Sequence, residues 1–137
     1  MLAMNLYNKI YPNKEIPALE TKFTDCRDDP NVNNAAALGI VTGYEDGTFR
    51  PYKTISRQEA AAMLDRLYAA LGGQTELITG PAYTDDAQLG DWARGSVYAM
   101  RQTGITQGKE NNQFCPTDGY TAEQSIVTIE RMYQIIK

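Results

Sequence analysis

Gly39-Ile40-Val41-Thr42-Gly43-Tyr44-Glu45-Asp46-Gly47-Thr48-Phe49-Arg50-Pro51, continued by Tyr52-Lys53-Thr54-Ile55-Ser56-Arg57-Gln58-Glu59-Ala60, is the stretch on which the reading of this chain turns. Gly39 stands where a left-handed residue ends a helix. Asp46-Gly47 is the strongest turn dipeptide in the sequence. Ser56 and Glu59 form a capping box, hydroxyl to the third amide and carboxylate back to the first. Apolar residues at 60, 63, 64, 67, 68 and 71 then share one helical face, which Gly72 terminates. Helix end, tight loop and capped helix start follow one another in a single run.

The run occurs twice. A shift of 65 positions carries Gly39-Ile40 onto Gly104-Ile105, Gly43 onto Gly108, Phe49 onto Phe114, Pro51 onto Pro116 and Ser56 onto Thr121. Asn111-Asn112 replaces Asp46-Gly47, and asparagine also tolerates positive φ. Thr121 and Gln124 repeat the capping box, and Ile126, Ile129, Met132, Tyr133 and Ile136 repeat the apolar face. Upstream, Phe23-Thr24-Asp25 returns as Tyr83-Thr84-Asp85, a triplet whose Asp is expected to bond amides two residues on. A helix of about Asn31–Leu38 follows the first triplet. After the second, Asp91 is the expected N-cap of a helix carrying Trp92, Ser96, Val97 and Met100. Asn5-Leu6-Tyr7 echoes Arg66-Leu67-Tyr68, which suggests the trailing helix of a third, truncated copy. The expected division is 1–20 trailing helix and linker, 21–73 first repeat, 74–82 linker and 83–137 second repeat. Three amphipathic faces can bury one another, so the fold class is mostly α: tandem helix–loop–helix repeats in a pseudo-symmetric bundle. Leu6, Leu67 and Met132 should share its core, and any strand should be brief and lie near Gly47-Thr48-Phe49.

Composition narrows the chemistry. There is no histidine among 137 residues, which removes the usual Ser–His–Asp and Cys–His nucleophiles and imidazole-dependent metal sites. Net charge −4 argues against nucleic acid. No apolar run reaches the roughly 18 residues of a membrane span, so no membrane insertion is expected. Cys26 and Cys115 are too few to fix the redox compartment and leave open whether they are bridged or free; free is the expectation. No signal peptide is read, and the start resembles the middle of a helix, as in a piece of a longer secreted chain. Asp25, Asp28, Asp29, Asp85 and Asp86 lack the alternating register of an EF-hand and are read as turn formers. Carboxylates such as Asp46 and Glu59 have structural roles, so no enzyme, cofactor or metal is expected.

Aromatic-Thr-Asp, then Gly-Ile-x-x-Gly-Tyr-x-Asp-Gly-Thr-Phe-x-Pro, then Ile-Ser-Arg-Gln-Glu before an Ala/Met/Leu helix, resembles the bacterial S-layer homology module. The resemblance covers Phe23–Leu71 and Tyr83–Ile136, with Leu2–Tyr11 as the tail of a third copy. It implies a non-catalytic, extracellular module of the bacterial cell wall or S-layer, binding secondary cell-wall polysaccharide that is often acidic and pyruvylated. It also implies a pseudo-threefold arrangement of three modules. Family copies commonly read Thr-Arg-Ala-Glu where this chain has Ser56-Arg57-Gln58-Glu59, and the arginine of that motif faces the glycan in grooves between modules. By position that arginine is Arg57; the second copy has Ala122 there and Gln124 in place of Glu59, so its groove is expected to lack the charged contact.

Arg57 is also singular on local grounds, because a cation at a helix start opposes the macrodipole and gains nothing from the helix. Beside free helix-start amides it would suit a carboxylate. Arg50, Lys53, Tyr52, Asp118 and Trp92 are further glycan-contact candidates, with Tyr44 as another aromatic that could stack on sugar. Each also has a plain reading as a solvated charge or loop plug. The alternative function is a structural or self-association module with degenerate glycan binding. Self-association of the isolated fragment is expected if an apolar edge of the bundle is left uncovered.

Overall fold

The computed structural model describes residues 2–16, 23–26, 29–50, 53–74 and 81–136. Among them are helices α1 (Leu2–Ile10), α2 (Pro30–Ala37), α3 (Arg57–Ala70), α4 (Asp91–Thr103) and α5 (Ala122–Ile136). No strand occurs in the described residues. Pairing reduces to two isolated bridges, Ser56 with Gly119 and Lys109 with Gln113. The first joins the two repeats. The second lies in the loop of the second repeat that corresponds to Tyr44–Thr48.

Local sequence accounts for the helix limits. Asp29 caps α2 by accepting from the amides of Asn31 and Val32, with Pro30 in the first turn. Ser56 and Glu59 form the full capping box of α3. At α5 the amide of Thr121 donates to Gln124 Oε1 at 3.0 Å, and that of Gln124 to Thr121 Oγ1 at 3.1 Å. Gly39, Gly72 and Gly104 all carry positive φ at helix ends. Asp91 is not the N-cap of α4, contrary to expectation: Gly90 is, and Asp91 sits in the first turn paired with Arg94. A side chain at Gly90 would collide with the Trp92 indole, its Cβ falling 2.4 Å from Nε1.

Each repeat is closed by its own aspartate across the loop. Asp25 accepts the amides of Phe49 and Arg50, both at 2.8 Å. Asp85 accepts those of Phe114 and Cys115 at 2.9 and 2.8 Å. The triplet aspartate therefore clamps the distant Phe loop, where the sequence suggested a local turn. Gly43 and Gly108 let the clamped loop lie on the aromatic of the same triplet. An added Cβ would fall 2.2 Å from Phe23 Cε1 and 2.8 Å from Tyr83 Cε1, respectively.

One core joins α1, α2, α3, the end of α4 and α5, and contains Leu6, Leu67 and Met132 as expected. A second cluster packs Ala61 of α3 against Tyr83, Leu89, Ala93, Val97 and Phe114 of the second repeat. In α4 the buried face is Ala93, Val97 and Met100, while Trp92 is 60% exposed. In α5, Ile126 is 60% exposed although its spacing suggested burial. Its counterpart 65 positions earlier, Ala61, is buried against Tyr83, Leu89, Ala93, Val97 and Phe114 of the second repeat. Cys26 and Cys115 are free thiols.

Candidate functional site

The seam between the repeats is built from main chain. The amide of Arg57 donates to Asp118 O at 2.9 Å, that of Gln58 to Pro116 O at 3.1 Å, and that of Tyr120 to Ile55 O at 2.8 Å. Ser56 Oγ takes the amide of Glu59. The first amides of α3 are thus already satisfied. The expected free helix-start amides beside Arg57 do not exist, because the second repeat supplies carbonyls to them.

Arg57 crosses the seam. Its Nε donates to Phe114 O at 2.8 Å and its Nη2 to Gln107 O at 3.0 Å. The guanidinium also lies over the Phe114 ring at 4.8 Å. This explains a cation at a helix start: it is stabilised by the neighbouring repeat, not by its own helix. The side chain is only 8% exposed. Among the described residues no carboxylate lies within ion-pair distance of it.

A cleft of about 300 Å³ opens beside this guanidinium, between α3, the Thr106–Phe114 loop and α5. Among the described residues its charged walls are Arg57, Lys109, Arg131 and Glu123, three cations to one carboxylate. Arg131 donates to Ile105 O at 3.2 Å, and Lys109 pairs with Asp118 at 3.0 Å on the rim. The Thr106 hydroxyl, in a residue 7% exposed, is buried without a hydrogen-bond partner and belongs to the same wall. Burial pushes the Tyr120 phenol up, opposed by its hydrogen bond with Thr128 and by the Arg57 charge.

The other sequence candidates lie elsewhere. Arg50 pairs with Asp46 at 2.9 Å and rests over the Tyr44 ring at 4.2 Å, and Lys53 stands 4.7 Å from the same ring. Lys53 and Ala122 line a separate, largely apolar cleft of about 330 Å³ beside Leu2, Ile55 and Ile129. Trp92 lines a third, of about 320 Å³, with Tyr44 and Arg66. Asp118 touches the Arg57 seam through its carbonyl, and its carboxylate serves Lys109. Tyr52 and Asp28 lie outside the described residues. Gln107, Thr106, Lys109, Glu123 and Arg131 were not singled out from sequence. The repeat register marked two of them, since Arg131 matches Arg66 and Gln107 precedes the repeated glycine.

The S-layer homology domain pattern matches residues 22–61 and 82–119, more than half of the chain. The surface layer protein of Brevibacillus choshinensis is 30% identical over 107 residues, covering 78% of this chain and 10% of that protein. The middle cell wall protein of Brevibacillus brevis is 26% identical over 130 residues, 95% of this chain and 12% of the relative. The amylopullulanase of Thermoanaerobacterium thermosulfurigenes is 33% identical over 100 residues, 72% of this chain and 5% of the enzyme. The chain thus spans a small part of the curated relatives it matches. No solved structure matches it.

Proposed function

This chain belongs to the S-layer homology family and is a cell-surface anchoring module of the cell wall or S-layer, and we propose that it anchors by binding an acidic secondary cell-wall polysaccharide in the Arg57 cleft. The observation that carries this is a buried guanidinium held by two neutral carbonyls and by no carboxylate of the described residues. A buried charge without a countercharge is costly, and a ligand acid beside it removes that cost. The excess of cations on the cleft wall adds attraction at longer range. The unpartnered Thr106 hydroxyl is available to a sugar oxygen.

The module is read as non-catalytic. Its likeness to the amylopullulanase covers 5% of that enzyme, a span in keeping with a shared anchoring region. In the second repeat Ala122 holds the position of Arg57, and among the described residues Lys53 is the charged one on that cleft's wall. The anionic contact is therefore assigned to the seam of Arg57 alone. A structural role for Arg57 is compatible with this reading, since the same side chain both joins the repeats and faces the cleft.

The test is co-sedimentation of the purified chain with cell walls, native and stripped of their acidic polysaccharide. Pelleting with native walls alone is expected, weakening with salt. Arg131→Gln, which removes one wall cation and leaves the Arg57 seam intact, should weaken it as well. Equal pelleting with both wall preparations would leave the structural-module reading in front.

A further inference from the structure

We propose that the cleft under Trp92 is a second carbohydrate subsite that takes an uncharged sugar ring of the same polysaccharide, an inference that rests on the carbohydrate-binding reading above. Trp92 is 60% exposed, and among the described residues no ring or cation lies against its indole. The chain contains no other tryptophan. It is nonetheless positioned: the indole folds back over Gly90, where a Cβ would come within 2.4 Å of Nε1. Gly90 is fixed in turn, its amide donating to Gln58 Oε1 of α3 at 2.9 Å. The pyrrole part of the indole lies against Gly90 while Trp92 as a whole is 60% exposed, so ring surface is available for stacking.

The surroundings select the ligand's charge. Arg66 is the cation of this cleft and has no ion pair or hydrogen bond among the described residues, so its donors are available to hydroxyl or carbonyl oxygens. Glu59 is the carboxylate of the wall, occupied by its capping box and by the Tyr44 hydroxyl at 3.3 Å. Among the described residues, one cation against one carboxylate is a neutral wall, whereas the Arg57 cleft has three against one. The Tyr44 ring already carries Arg50 and Lys53, which leaves Trp92 as the aromatic surface for a pyranose.

The two clefts flank one helix. Arg57, Ala60, Ala61 and Leu64 face the first cleft, and Glu59, Ala62, Met63 and Arg66 face the second. At 3.6 residues per turn these sets point about 200° apart, so a helix diameter of roughly 10 Å separates the subsites. A polysaccharide rounding the start of α3 would place an acidic residue on Arg57 and a neutral one on Trp92. The two contacts then reinforce each other as linked sites.

Because Trp92 is the lone tryptophan, its emission reports on this subsite directly. The probe is wall polysaccharide released intact, and the same polymer after mild acid hydrolysis of its ketal-linked acids. Both should shift Trp92 emission, the second with lower affinity. Trp92→Ala should weaken pelleting with native walls roughly tenfold, as expected for truncating a tryptophan that anchors a contact, with an unchanged melting temperature. Unaltered emission at wall-saturating polymer, or full-strength pelleting by Trp92→Ala, overturns the second subsite. If Arg57 variants lose pelleting in that case, the Arg57 reading stands without it. Failure of every form to bind either polymer overturns both.

Discussion

Arg57 shows why a residue judged by its own helix can be misread. A cation at the first turn of α3 opposes the macrodipole, yet two charge-assisted bonds to Phe114 O and Gln107 O and the ring of Phe114 compensate. Hydrogen bonds of this type contribute about 1.5–3 kcal/mol each when their loss strands a partner. Arg57→Lys keeps the charge but not the planar fork. It should lower the stability of the chain by about 1–2 kcal/mol in chemical denaturation, whereas Arg50→Lys, on the exposed Asp46 pair, should change it little. The carboxylates set the response to acid. Hydrogen bonds from Thr48 and Arg50 hold the Asp46 carboxyl down to about 2 from its ordinary 3.8. The amides of Phe49 and Arg50 also lower Asp25. A carboxylate depressed in the folded state stabilises it above the unfolded value and loses that contribution as pH falls through the folded one. Melting temperatures should therefore drop between about pH 4 and pH 2, and Asp46→Asn should flatten that limb of the profile.

At the scale of elements, what could be read from sequence was whatever is local. Ser56 with Glu59, Thr121 with Gln124, and the glycines at 39, 72 and 104 specify helix starts and stops within a few residues, and the structure keeps them all. The positive φ of Asn111 and Asn112 answers to the turn signal of Asp46-Gly47 in the other repeat. The apolar faces did foretell that Leu6, Leu67 and Met132 share a core, but polar contacts between distant segments were not legible. Asp25 and Asp85 act on loops 24 and 29 residues away, and no propensity records such a reach. The partners of Arg57 lie in the other repeat for the same reason. Ile126 followed the helical period but lacked a surface to pack on. The glycine that supports each Phe loop gives a sharp check. Gly43 combines positive φ with an aromatic ring where its Cβ would stand, so Gly43→Ala should cost roughly 2–3 kcal/mol in stability. Ser56→Ala, removing half of a capping box, should cost about 1 kcal/mol. Cys115 adopts positive φ of 59° without being glycine or asparagine. Cys115→Asn should raise the melting temperature slightly, by an amount equivalent to about 0.5–1 kcal/mol.

For the whole molecule, three trailing helices share one core, and two repeats meet along a seam that Arg57 closes. The same geometry leaves α5 partly bare: Ile126, Val127 and Ile135 are exposed, as is Leu2 on α1. The surface of α3 that receives the second repeat has its counterpart on α5 in Ala122, Ser125, Ile126 and Ile129. The chain is predicted to self-associate through this face, and Ile126→Lys should shift sedimentation toward monomer. A parent chain that stays monomeric at high concentration would contradict this. The central claim is that the buried guanidinium of Arg57 takes its countercharge from an acidic glycan. Calorimetric titration of the folded chain with purified acidic wall polysaccharide tests it most directly, run beside Arg57→Lys at the same pH and salt. The account predicts saturable binding that Arg57→Lys weakens by about 1–2 kcal/mol and that removal of the polymer's acidic groups weakens at least as much. Equal affinity of the parent and Arg57→Lys for the acidic polymer, or equal affinity of the parent for the neutralised one, would contradict it.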